Sequence, residues 1–185
     1  NMDPLEELRE EHGAIMKVLA ILQGVARELE ERNPKAVDRF DQILEFMTVF
    51  IDQCHHAKEE EFLFPAMQKA RTSNSRLIDE LISEHEDGRK MTAILEAALG
   101  ELKQDSDQAT AQLVETIRGY IQVFRTHIRK ENGSVFPEAR EILSGPARED
   151  MARQFEKIEE ERIGKGKHEA FHRMIEQLGK SVATR

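Results

Sequence analysis

Six residues have types and spacing that could do chemistry: His12, His55, Glu59, His85, His127 and Glu131. They form two sets of one pattern, a histidine followed farther along the chain by His-x-x-x-Glu. The pattern belongs to a repeat. Glu11-His12, Lys17 and Ala20-Ile21-Leu22 recur as Glu84-His85, Lys90 and Ala93-Ile94-Leu95, and His55, Lys58, Glu59, Phe64 and Pro65 recur as His127, Lys130, Glu131, Phe136 and Pro137. Imidazoles and carboxylates together suit iron, zinc or manganese. A repeat that keeps them points to a symmetric metal site.

Four long segments must position these residues, and each carries the apolar period of a helix. The first runs through Leu5, Leu8, His12, Ile15, Leu19 and Leu22, and Asp3-Pro4 starts it as an N-cap followed by proline. The second starts at Asn33-Pro34 and runs through Phe40, Leu44, Met47, Ile51, His55, Glu59 and Phe62. The third runs through Ile78, Leu81, His85, Gly88, Thr92, Leu95 and Leu99. The fourth runs through Leu113, Ile117, Tyr120, Phe124, His127, Glu131 and Ser134. Breaks near Glu31–Asn33, Arg71–Ser75 and Gln104–Asp107 are short, which predicts antiparallel neighbours. The expected fold is all-α, an up-down-up-down four-helix bundle over residues 3–144. A C-terminal helical arm over 145–185 follows Ser144-Gly145-Pro146 and packs on the bundle, with helices at about 147–162 and 168–178 around Gly164-Lys165-Gly166.

In such a bundle His12 and His85 lie roughly 13–17 Å from one end, and His55 and His127 roughly 22 Å from the same end. All four meet at one level within the error of the helix ends. The i, i+4 spacing places Glu59 on the face of His55, and Glu131 on that of His127. Two inward carboxylates near four imidazoles require a cation. Two metal ions, each with two imidazoles and sharing both carboxylates, meet that requirement.

Composition narrows the partners. Of 185 residues, 34% are charged and the net charge is −9, which disfavours nucleic acid and anionic membranes as partners. No run of the sequence has the length and apolarity of a membrane span. No signal-peptide pattern follows Asn1-Met2, and the one cysteine, Cys54, excludes an internal disulfide framework. A cytoplasmic protein is expected; its oligomeric state is not legible.

The order His, His-x-x-x-Glu, His, His-x-x-x-Glu, with the stretches HHAKEEEFLFP and HIRKENGSVFP, resembles the hemerythrin-like, or HHE cation-binding, family over about residues 5–143. The resemblance implies a four-helix bundle holding two iron ions, carboxylate- and oxo-bridged, with His12, His55, Glu59, His85, His127 and Glu131 as ligands. The five-histidine oxygen carriers of that family place two histidines one turn apart on the third helix. Here Leu81 and Arg89 flank His85 instead. A coordination position is then open or filled from elsewhere.

Other residues compete for roles. His56 and Glu60 also stand at i, i+4, but the repeat selects His55, and His56 is expected about 100° away, exposed or beside the site. His168 lies on the arm's apolar stripe and reads as a fifth ligand or as a packed interhelical histidine. His168-Glu169-Ala170-Phe171-His172 spells the H-E-x-x-H of zinc peptidases, on a short helix with no third ligand in view. Gly88 and Tyr120 could shape a ligand space or simply pack. Cys54 reads as a small apolar filler. The leading expectation is a non-haem di-iron protein that binds or reduces a small molecule such as O2, NO or H2O2, for sensing, stress defence or iron-cluster repair. The alternatives are a structural or regulatory helical module with a purely stabilising metal site, and a zinc peptidase.

Overall fold

The computed structural model describes residues 2–102 and 107–182; the joint expected near Gln104–Asp107 falls almost wholly outside them. The chain is an all-helical bundle of six helices with no strand among the described residues. Among the described residues, no helix is long and apolar enough to cross a membrane.

Helix α1 is Pro4–Glu30. The Asp3 side chain accepts from the Leu5 N–H, and Pro4 occupies a position whose N–H has no helical partner. The helix α2 covers residues 36–69. It starts later than Asn33-Pro34 suggests, because Asn33 closes a turn first, taking the Lys35 N–H on its side chain and the Ala36 N–H on its carbonyl.

Helix α2 changes pitch along its length. Ala36–Phe46 and Phe64–Lys69 are α-helical, whereas Met47–His56 and Glu59–Leu63 form wide π-type turns. Helix α3 is Ser75–Leu102. Helix α4 covers 107–142, with the same widening at Glu131–Val135.

The turns after Glu59 and Glu131 have a shared cause in the sequence. Pro65 and Pro137 have no N–H and would press on the carbonyl four residues back. The backbone widens ahead of each, so Phe64 N–H reaches Glu59 O and Phe136 N–H reaches Glu131 O, five residues back. The inward face therefore passes to Leu63 and Val135, both fully buried, rather than to Phe62 and Ser134.

Helices α5 (residues 145–163) and α6 (Lys167–Ser181) form the arm. Gly164 and Gly166, at φ 94° and 81°, turn the chain between them in a conformation that side chains resist. Helix α5 lies against α1 and the wide stretch of α2, and α6 lies along α1 and the start of α2.

The apolar core is in two parts. One gathers Leu19, Phe40, Phe46, Ile117 and Phe124 with Phe171 and Ile175 of α6. The other gathers Leu5, Leu63, Phe64, Leu81 and Phe136 with Met151 and Phe155 of α5. Along each of α1 to α4, the histidines and glutamates singled out above lie between these two clusters.

Candidate metal centre

The polar layer between the clusters is nearly dry. His12, His55, His85, His127, Glu59 and Glu131 are each at most 2% exposed. The two carboxylates each face imidazoles on both sides. Glu59 Oε1 lies 3.2 Å from His55 Nε2 and 3.7 Å from His12 Nε2, while its Oε2 lies 3.4 Å from His85 Nε2. Glu131 Oε2 lies 2.9 Å from His12 Nε2, and its Oε1 lies 3.0 Å from His127 Nε2. His85 Nε2 and His127 Nε2 stand 3.0 Å apart.

These atoms are close without being satisfied. All four carboxylate oxygens of Glu59 and Glu131, and His12 Nε2, are buried without an aligned hydrogen-bond partner among the described residues. Leaving such groups unpaired is costly, and more so when they are charged. A cation coordinated by oxygen and nitrogen removes the cost. Two groups within the layer have donor atoms close enough to share one, His12, His55, Glu59 and Glu131, and His56, Glu59, His85 and His127; a third group, Glu11, Cys54 and Glu159, lies beside Lys58. Glu59 belongs to both groups of the layer.

The outer nitrogens explain the orientation. His55 Nδ1 is 3.0 Å from Glu11 Oε1, and His127 Nδ1 is 2.7 Å from Glu84 Oε2. His85 Nδ1 is 2.7 Å from Glu60 Oε1, and His12 Nδ1 is 2.8 Å from Asn132 Oδ1. An ionised carboxylate only accepts, so Nδ1 carries the hydrogen and donates. That tautomer turns the Nε2 lone pair inward, the arrangement that fixes and strengthens a metal-binding imidazole.

Each half of the repeat thus serves both halves. The residue before one histidine orients the later histidine of the same half, as Glu11 does for His55 and Glu84 for His127. The segment after each of Glu59 and Glu131 supports the other half. Asn132 and the stacked Phe136 ring (5.0 Å) hold His12, whereas Glu60 and the Phe64 ring (6.1 Å) hold His85. The lysines extend the pattern. Lys58 Nζ donates to Glu11 and Glu7, each at 2.7 Å, and Lys130 donates to Glu84 and Glu80.

Electrostatics favour positive charge in the layer. Burial opposes a charged His12, yet the neighbouring Glu131 and Glu59 lift its pKa to about 10. His127 is likewise lifted to about 10 against burial, by Glu131 and Glu84. Burial raises the carboxyl pKa, and Glu59 raises that of Glu131 further; the flanking imidazoles outweigh both and hold Glu131 at about 2. Glu59 is held well below the ordinary carboxylate range by the same opposition.

His56 departs from expectation. It is 3% exposed, and its ring stacks on His85 with centroids 3.7 Å apart and 17° between planes. The reason is the wide backbone of Met47–His56, in which each residue rotates less about the axis than in an α-helix, so two consecutive histidines both face inward. The equivalent position of the other half is Ile128, so the repeat carried no signal for it. The signals that were present are Glu11, Glu84, Lys58 and Lys130, which the repeat preserves.

His168 lies outside both donor groups. Its Nδ1 is 3.2 Å from Glu159 Oε1, and its ring meets Phe50 edge-on. Glu159 also accepts from Lys58 (2.8 Å) and from Cys54 Sγ (3.3 Å). Burial raises the Cys54 pKa well above the ordinary thiol value. His168 and His172 are in ring contact at 5.0 Å, but no third donor joins them among the described residues. Helix α6 runs along α1 and the start of α2, and it is Glu159 of α5 that reaches toward the layer, through Lys58. Gly88 permits close packing: a β-carbon there would lie 2.4 Å from Phe124 Cζ.

The family model of the hemerythrin HHE cation-binding domain matches residues 3–139. The chain is also similar to an uncharacterized protein of Mycobacterium bovis and to uncharacterized proteins of two Mycobacterium tuberculosis strains. Each is 26% identical over 177 residues, covering 96% of this chain and 69% of the relative.

Proposed function

The chain belongs to the hemerythrin HHE cation-binding domain family, and from that premise we propose that it is a non-haem di-iron protein that binds or reduces O2, NO or peroxide. The observation that carries this reading is the set of four buried, unpaired carboxylate oxygens of Glu59 and Glu131, each facing imidazoles. His12 and His55 would hold one ion, His85 and His127 the other, and Glu59 and Glu131 would be shared between them. His56 is the fifth imidazole, on the His85 side, where Leu81 and Arg89 offer none. The helices α1 to α4 run up-down-up-down, a reading supported by the alternation of the two apolar clusters along successive helices. Residues 3–144 form the bundle domain and 145–185 an arm packed on it. A cytoplasmic location accords with the single thiol.

A pair of iron ions supplies reversible electron transfer to a small bound molecule. The protein's residues do the rest. Glu11, Glu60, Glu84 and Asn132 hold four imidazoles in the inward tautomer. The two apolar clusters exclude water, which strengthens each charge interaction in the layer. The acceptor-only carboxylates of Glu59 and Glu131 keep the layer selective for cations. Zinc or manganese would satisfy the same donors.

The test is metal analysis of protein purified from iron-supplied cells, with absorption spectra in both redox states. Two irons per chain and near-ultraviolet bands that respond to reductant are expected. Iron-free protein, or a colourless site saturated by zinc that iron cannot replace, would instead support a metal that only stabilises the fold. The near-complete burial of the layer favours that second reading.

A further inference from the structure

A cleft of about 200 Å³ opens between α2 and α3 and ends at His56. We propose that this cleft is the path by which small uncharged molecules reach the metal centre, and the place where they first bind, on the His56 and His85 side. The inference rests on the di-iron reading above and deepens it by naming the route.

Size decides the class. Sites for drug-sized organic ligands occupy about 300–1,000 Å³. A cleft smaller than that, which also has to admit water at its mouth, suits molecules of two to four atoms.

The lining decides the charge. Met47, Ile51 and Phe124 make its inner wall apolar. Thr48, Asp52, Arg89, Thr92 and Glu96 also line it, and two groups that can hydrogen-bond, His56 and Tyr120, adjoin the apolar wall. An uncharged diatomic or a peroxide loses little on entering such a wall, and either group can donate to it. An anion would lose hydration there and meet Asp52 and Glu96, while the charge of Arg89 is already paired by Asp52 and Glu60.

The inner end meets the candidate site directly. His56 lies against His85, and its ring is 5.9 Å from that of His127. The mouth is tied to the same histidine. Arg89 bridges Asp52 (2.8 Å) and Glu60 (3.0 Å), and Glu60 holds His85 Nδ1. A much larger cleft between α1 and α6, about 740 Å³, is lined by residues such as Ala20 and Ile175 and, unlike the smaller one, does not reach His56.

The experiment follows NO binding to the reduced, iron-loaded protein by stopped-flow absorbance. Ala93→Phe and Thr48→Phe, each placed on the cleft lining, should slow binding several-fold with iron content and spectrum unchanged. Met47→Ala should speed it. Ala20→Phe, in the larger cleft, should leave the rate alone. Wild-type rates in both narrowing variants, or slowing by Ala20→Phe, would overturn the route. Xenon-pressurised crystals of metal-free protein give an independent readout, since xenon occupies apolar cavities. Xenon beside His56 in the wild type and not in Ala93→Phe is expected. Its absence from the wild type would overturn the cleft as a binding place. A chain that binds no iron overturns the di-iron reading instead, and the xenon result then judges the cleft alone.

Discussion

Lys58 Nζ lies 2.8 Å from Glu159 Oε1, which joins the site-bearing helix α2 to the arm through a lysine with no solvent exposure. The same nitrogen donates to Glu11, and Glu11 holds His55. Its counterpart Lys130 keeps a quarter of its side chain exposed and pairs with Glu80 and Glu84 of α3, with no ion pair to the arm among the described residues. The two halves of the repeat therefore differ in what lies behind His55 and His127.

Replacing Lys58 with methionine should be strongly destabilising. It strands the fully buried Glu11 without its cation, and loss of one partner from a buried ion pair costs about 3–5 kcal/mol. Lys130→Met should cost less, about 1 kcal/mol or under, because its pair is solvated. Urea unfolding of the two variants compares them; equal losses would count against a sealed network under the arm.

Removing the orienting carboxylates should weaken metal binding without removing a ligand. Glu11→Gln and Glu84→Gln should each lower affinity about 10–100-fold, the usual cost of losing a group that fixes a ligating histidine. Competition with a chromogenic chelator reads this directly. An unchanged affinity in both variants would mean that Nδ1 orientation is set by packing alone.

Stoichiometry should separate bridging from terminal positions. Glu59 belongs to both donor groups, so Glu59→Ala should reduce binding of both ions, whereas His12→Ala should chiefly affect one. Elemental analysis of the purified variants decides this. A Glu59→Ala protein holding two ions at wild-type affinity would refute a shared carboxylate.

The stability of metal-free protein should depend on pH in two opposite senses. His12 and His127 have folded pKa values raised from 6.5 to about 10, so their contribution is complete below about 6.5 and is lost as pH rises through 10. Glu131 is lowered from 4.5 to about 2, so its contribution is present above about 4.5 and is lost as pH falls through 2. Thermal melts should thus peak between about 4.5 and 6.5. Metal competes with the same protons, so affinity should fall as pH drops. A melting temperature that climbs steadily from pH 7 to 10 would contradict the imidazolium assignment.

Much of the layer was legible in the linear sequence. The repeat singles out two histidines and two His-x-x-x-Glu units, and helical spacing places their six side chains on inward faces at one depth. The Asp3-Pro4 start, the breaks at Glu31–Asn33 and Arg71–Ser75, and the glycine joint at 164–166 follow from local backbone preferences, which act within a few residues.

What needed the tertiary structure is what depends on helix pitch and on neighbours distant in sequence. Reading His56 as pointing aside assumed the rotation of an α-helix, and the wide turns of Met47–His56 cancel that assumption. Pro65 and Pro137 explain the widening after Glu59 and Glu131, but no proline marks the earlier stretch Met47–His56. The engagement of His168 by Glu159, and of Glu159 by Lys58, depends on how α5 lies against α2. Sequence periodicity describes one helix at a time. It names the face of each helix that must be buried, but which side chain of another helix meets it is decided only when the apolar faces pack together.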